Sequence, residues 1–252
     1  MNDLHFTTRL LGSTLMLYFS ISIPTTSAQM TAADSLFLQK TVNQTVATYH
    51  AAIGNGSVLF NGPKYSDYPK IKDGGHAFFN TLTPSKCSIV YDNVFYPNVN
   101  LVYDEVTGVV VVQDATRRIQ LETDKITQFT IWDNRFTRLA KDSTSTANLS
   151  GGFYQILYEG KMTSLFKQET KRIEEDIRSA SDGIIRSIIV KKAYFIQKNG
   201  VYHAVKDKKS VLSLFNDRKK EVAQFLKRNK LDFEKDGDNA LMKITAFYDA
   251  LP

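Results

Sequence analysis

The sequence predicts an α+β protein: a curved antiparallel β-meander, either an open curved sheet or a half-barrel, with an N-terminal helix before it and C-terminal amphipathic helices after it. Three observations predict this. From Val58 to Leu139, short runs rich in Val, Ile, Tyr and Phe are broken by turn residues such as "DN", "PN", "VTG" and "DAT", the pattern of strands recurring about every 8–12 residues. Asn199-Gly200 stands between two further strand-like runs, and both residues accept the positive φ of a two-residue hairpin turn. After Lys208 the apolar period changes from two to about 3.6, which is helical.

Composition agrees with a folded chain. Of 252 residues, 42% are hydrophobic and 23% charged, enough for a sizeable core. The 16 Phe and 12 Tyr suit pleated, half-buried surfaces.

In chain order, residues 1–28 read as an export signal. Arg9 supplies the positive start, "LLGSTLMLYFSISIP" the apolar run, and "TTSAQ" the small residues, with cleavage expected after Ala28. The alternative, an uncleaved anchor, is opposed by the length of the run, which falls short of the roughly 20 residues of a span. Residues 29–252 then form a single α+β domain. Leu36, Val42, Val46 and Tyr49 recur at helical spacing, so a helix leads into the meander, the two filling 29–140. The polar stretch 141–152, "KDSTSTANLSGG", reads as a flexible loop within one continuous sheet. Two β-hairpins occupy 153–205, turning at Glu159-Gly160 and Asn199-Gly200, with "EEDIRSASDGIIRS" between them as a projecting loop or short helix. The Asn199-Gly200 loop pairs Lys198 with Val201, Ile196 with His203 and Tyr194 with Val205.

The segment 206–252 is helical. Ser210 is expected to cap a short helix, Asn216 or Asp217 a second, and Asp236 or Asp238 a third with Leu241, Ile244, Tyr248 and Leu251 on one face. Residues Lys206 to Lys230 hold nine basic residues against three acidic ones, an excess equal to the +6 of the whole chain. Helical angle decides what that charge does. Val222, Phe225 and Leu226 define the apolar face, and Lys220, Lys227 and Arg228 lie opposite. Phe215 and Phe225 are needed in the core and are not free to stack on bases, so nucleic acid is excluded as a partner. Lys219, Lys220, Lys227 and Arg228 are left to contact an anionic membrane surface peripherally.

Catalytic signatures are absent from the sequence. His50, His76 and His203 are far apart with no metal-ligand spacing, so no metal and no cofactor are expected. No nucleophile elbow or dinucleotide fingerprint occurs. The single cysteine, Cys87, cannot form an internal disulfide and reads as a buried thiol. His76, beside turn glycines, is expected to be exposed. It joins Tyr65, Tyr68, Phe78 and Phe79 in "FNGPKYSDYPKIKDGGHAFF" as the candidate ligand-binding group. The opposing reading is that these aromatics plug one end of the sheet, which most aromatics do.

The stretches "LFNGPKYSDYP", "IVYDNVFYPNVNLVYDEVTGVVVV", "GGFYQILYEGK" and "KNGVYHAVKDKKSVLSLFNDRKKEVAQFLKRNKLDF" together resemble an uncharacterised family of exported proteins of Bacteroidota-type Gram-negative bacteria, from about Val58 to about Tyr248. The resemblance implies a periplasmic or outer-envelope location and brings no catalytic residues. The expectation is an exported, non-catalytic binding or adaptor protein for an envelope protein, glycan or lipid. The alternatives are a carrier of an apolar ligand in a half-barrel cavity and an envelope-polymer hydrolase with an unfamiliar site.

Overall fold

Ten antiparallel strands form one open sheet in the computed structural model, which describes residues 58–71, 75–141, 147–177 and 183–251. The predicted N-terminal helix and the export signal lie outside the described residues. In chain order the strands are β1 (Ser85–Tyr91), β2 (Val94–Asp104), β3 (Val109–Gln113), β4 (Arg118–Gln120), β5 (Ile126–Ile131), β6 (Asn134–Leu139), β7 (Gly152–Glu159), β8 (Thr163–Ile177), β9 (Ile184–Lys198) and β10 (Val201–Val205). Helices α1 (Lys208–Leu214), α2 (Lys219–Arg228) and α3 (Gly237–Asp249) follow.

The spatial order is β10-β9-β8-β7-β6-β5-β1-β2-β3-β4. Two meanders therefore stand back to back. The first runs β1 to β4, and β5 then returns to the free side of β1 to start the second. A backbone hydrogen bond from Asp92 N to Lys125 O (2.8 Å) ties the β1–β2 turn to the start of β5.

The first meander curls over the second. Tyr103, near the end of β2, packs 5.4–5.7 Å from the rings of Phe129 (β5), Phe136 (β6) and Phe153 (β7). Phe129 and Phe136 stack at 4.7 Å. Offset and edge-on aromatic contacts add to the burial energy of each ring. The run "VVVV" in β3 has both faces covered: Val110 and Val112 join this aromatic core, while Val109 and Val111 pack with Tyr65, Phe78 and Val102. A strand buried on both sides needs no polar alternation, and this one has none.

The second meander is also covered twice. Leu165 and Ile196 meet the helices through Val211, Phe215, Val222, Leu226, Leu241, Ile244 and Tyr248. Their chain neighbours Phe166 and Phe195 turn to the other face, against Leu149 and Tyr154. The burial of Ala147 and Leu149 makes this part of the polar 141–152 stretch core, because those two apolar side chains close the far face of β7–β9. Residues 142–146 lie outside the described residues.

The expected register of the last hairpin is observed: Val201↔Lys198, His203↔Ile196 and Val205↔Tyr194. The stretch between the two expected hairpins differs from expectation. β8 and β9 continue as an unbroken ladder to Ile177↔Ile184, so most of "EEDIRSASDGIIRS" is strand. Ile177, Ile184, Ile189 and Val190 are exposed along this two-stranded ribbon. With solvent on much of it, the ribbon lacks the apolar alternation by which strands are read.

Helix caps differ in detail. Asp207, not Ser210, caps α1: its carboxylate accepts from Ser210 N at 2.8 Å, and Ser210 Oγ accepts from Asp207 N at 3.1 Å. This is a reciprocal capping box with Ser in the position usually held by Glu. Asn216–Arg218 form a 3₁₀ turn, and α2 starts without a side-chain cap. Asp236 caps α3 as expected, accepting from Asn239 N.

Two-residue loops close three hairpins. In two of them the chain uses residues suited to positive φ, Asp92-Asn93 and Asn199-Gly200. The β5–β6 loop instead places Trp132 at φ +52°, a conformation that costs a bulky L-residue roughly 1–2 kcal/mol. In the β7–β8 turn, Gly160 is required by close approach: a Cβ there would fall 2.0 Å from Asp249 Oδ2.

Phe129 is 1% exposed at the centre of the aromatic core. Phe129→Ala is expected to lower unfolding stability by about 3–5 kcal/mol, read as a drop in urea midpoint with an unchanged slope. Phe95, on β2 and only partly buried, is expected to lose less.

Candidate functional site

The candidate site is built where the first meander comes to rest on β8. Beyond Tyr103, β2 ends at Asp104 and Glu105 follows it, the two fully and almost fully buried. The strip at residues 77–79 runs beside them: Glu105 N donates to Ala77 O (2.9 Å) and Phe79 N to Tyr103 O (2.8 Å). On the other side β8 closes in, with Lys171 N donating to Glu105 O at 2.9 Å.

Lys171 Nζ then fixes the corner. It lies 2.9 Å from Glu105 Oε2 in an ion pair not aligned as a hydrogen bond, and donates to His76 O (3.1 Å) and Phe78 O (2.6 Å). Burial pushes the Glu105 carboxyl up to about 7; Lys171 opposes that shift and Glu169 adds to it. Desolvation thus outweighs the attraction of one ammonium.

Asp104 is satisfied differently. Its carboxylate accepts five hydrogen bonds, from Tyr65 OH (2.9 Å), Tyr68 OH (2.7 Å), Thr107 Oγ1 (2.6 Å), Val106 N (2.8 Å) and Thr107 N (3.3 Å). Burial, reinforced by Asp104, pushes the Tyr68 hydroxyl up to about 12 and the Tyr65 hydroxyl higher still. Arg118 lies over the Tyr65 and Phe78 rings, 5.1 and 5.0 Å from their centroids, and ion-pairs with Asp67.

A polar cleft of about 620 Å³ opens beside this corner, bounded by the β2–β3 turn, the end of β6, the start of β7 and the middle of β8. Thr107, Thr123, Asp124, Arg138, Lys141, Ser150, Gln168 and Thr170 are among its polar lining. Arg138 ion-pairs with Asp124, and Ser150 Oγ donates to Gln168 Oε1 at 2.9 Å. The Ser150 hydroxyl therefore meets an amide, not a base. Glu105 forms part of the wall, but its side chain is only 1% exposed. It holds the wall in place and presents almost no surface to a ligand.

The aromatic-rich segment supports this corner from behind. Tyr65, Phe78 and Phe79 are buried, and Tyr68 is half-buried. Their rings pack and their hydroxyls serve Asp104. His76 is half-buried, against the expectation of exposure, because the 77–79 strip is clamped between β2 and Lys171. Burial lowers its pKa, Lys171 lowers it further, and the Phe78 and Asn80 backbone opposes both. Its Nδ1 is buried without a hydrogen-bond partner, so no carboxylate orients the ring through that nitrogen. His203 is half-buried, its pKa lowered by burial and then by Lys198. Cys87 is buried and free, its thiol donating to Ser85 O at 3.0 Å. Lys219, Lys220, Lys227 and Arg228 are all exposed, on a different part of the molecule from the cleft. Among the described residues no cluster of His, Cys, Asp or Glu could hold a metal, and no helix is long and apolar enough to cross a membrane.

Glu105 and Lys171 carried no local signal. Each is one charged residue in a strand-like run, and only the curl of the sheet brings them together. No protein-family model matches the chain, and neither a curated protein nor a solved structure is significantly similar to it.

The raised pKa of Glu105 has a definite sign. Below its ordinary value of 4.5 the carboxyl is protonated in both states; between there and about 7 the unfolded chain ionises first. Stability is therefore lost as pH rises through this window, by up to about 3 kcal/mol. Glu105→Gln is expected to flatten the fall in urea midpoint between pH 5 and pH 8. Parallel profiles for the two proteins would show that Glu105 does not set it.

Proposed function

We propose that the protein is an exported, non-catalytic binding protein of the bacterial cell envelope, and that the polar cleft beside Glu105 and Lys171 takes a hydrogen-bonding ligand such as a segment of surface glycan. The observation that carries this reading is the pairing of the cleft's polar groups. Ser150 is held by Gln168, Arg138 by Asp124, and Thr107 by Asp104. Hydroxyl, amide and guanidinium groups fixed in this way can recognise a polyhydroxylated ligand, and no nucleophile is seated against a base. The sequence supports export through residues 1–28, and the resemblance to exported Bacteroidota-type proteins supports the envelope.

The apolar-carrier alternative finds less support. The concave side that such a ligand needs is occupied by Phe79, Tyr103, Phe129, Phe136 and Phe153. For a hydrolase, Glu105 has the pKa of a general acid, but its burial keeps it from a substrate.

The test is titration with soluble envelope oligosaccharides. Binding is expected in the wild type. Thr170→Trp, which enters the cleft from an exposed strand position, is expected to weaken it by at least on the order of tenfold without moving the thermal midpoint. Turnover of any oligosaccharide that Glu105→Gln or His76→Ala abolishes would replace this reading with the hydrolase. A retained residue 1 in material recovered from an exporting host would remove the cleaved signal.

A further inference from the structure

The opposite end of β6, β7 and β8 from the cleft carries a second surface. Ladder registers place three hairpin tips there in a row: Trp132-Asp133 between β5 and β6, Gly160–Met162 between β7 and β8, and Asn199-Gly200 between β9 and β10. Tips two strands apart are about 10 Å from one another. Each presents a large apolar residue to solvent: Trp132 (54% exposed), Met162 (49%) and Val201 (48%).

Two features distinguish this row from scattered surface apolar residues. Trp132 occupies the left-handed conformation that the chain gives to Asn, Asp or Gly in its other two-residue loops, and it is the chain's only tryptophan. Strain of this kind is kept where a side chain must be displayed. The Met162 tip is held rigidly. The Asp249 carboxylate accepts from Lys161 N (2.6 Å), Met162 N (3.1 Å) and Thr163 Oγ1 (3.0 Å).

Charge indicates the partner. At this end Arg135 pairs with Glu159 and Lys198 with Asp217. The Lys198–Asp217 pair also fixes the turn leading into α2, which starts with exposed Lys219 and Lys220. With those pairs neutral, Lys161, Lys219 and Lys220 stand against Asp133 and Asp249, whose carboxylate keeps its charge among neutral donors. A rigid row of Trp, Met and Val bordered by lysines fits the interfacial zone of an anionic bilayer, where Trp is favoured and each lysine adds electrostatic attraction. We infer that this hairpin-tip edge seats the protein peripherally on an anionic lipid surface. The inference rests on the envelope reading for location only, since the cleft is at the other end of the strands.

Trp132 reports on this edge directly, because attachment through any other segment leaves its emission unmoved. The full chain is mixed with vesicles of phosphatidylcholine containing phosphatidylglycerol. Trp132 emission is expected to shift to shorter wavelength and to be quenched by brominated lipid. Met162→Ser with Val201→Ser, and separately Lys219→Glu with Lys220→Glu, are expected to raise the lipid concentration needed by at least on the order of tenfold, with unchanged thermal midpoints. Unmoved emission, or double variants that respond to vesicles like the wild type, would overturn the inference and leave the tips as a protein contact. Failure of oligosaccharide binding alone would leave it standing.

Discussion

An open sheet that curls over itself must tie down its leading layer, and here Lys171 ties it. The end of β2 crosses the concave face and stops against β8, where one backbone hydrogen bond and one ammonium group meet Glu105 and the carbonyls of His76 and Phe78. Removing one member of such a buried pair leaves the other charge without compensation, typically at a cost of about 3–5 kcal/mol. The aromatic core beneath depends on the same closure. Tyr103 reaches Phe129, Phe136 and Phe153 only while the last residues of β2 are held down. The cleft depends on it too, because its walls come from both layers.

Two adjacent acids at the end of β2 meet opposite solutions to burial. Asp104 is surrounded by five donors, none of them charged, while Glu105 has one ammonium and a carboxyl pushed up to about 7. The difference follows from strand geometry. Alternate residues face opposite sides, so Asp104 points to the layer containing Tyr65 and Tyr68, and Glu105 points to β8. The aromatic-rich segment that stood out in the sequence thus serves the interior. Tyr65 and Tyr68 are hydrogen-bond donors, and Phe78 supplies both a ring to the β3 layer and a carbonyl to Lys171.

Much of the fold was legible where short-range physics decides. The Asn199-Gly200 turn set the register of its hairpin residue by residue, because turn length and pleat leave no other pairing. The helical faces of Val222 and Leu226, and of Leu241, Ile244 and Tyr248, followed from angle alone. The Asp207 cap was missed because Asp and Ser stand three residues apart and each can serve; the observed box uses both. The length of the β8–β9 ribbon was missed because its charged, solvent-facing residues resemble a loop. The buried Ala147 and Leu149 were missed because they sit among Ser, Thr, Asn and Gly.

The sequence by itself determined an antiparallel sheet followed by amphipathic helices, and basic residues on the solvent side of those helices. These properties are written in runs of fewer than about twenty residues, where periodicity and turn chemistry act. Tertiary structure alone decided that β5 returns to β1, that Glu105 meets Lys171, and that Trp132, Met162 and Val201 share one end of the sheet. Such juxtapositions depend on how distant strands twist and pair, and a single chain's local pattern does not encode which distant partner a lone charge or an exposed tip will meet.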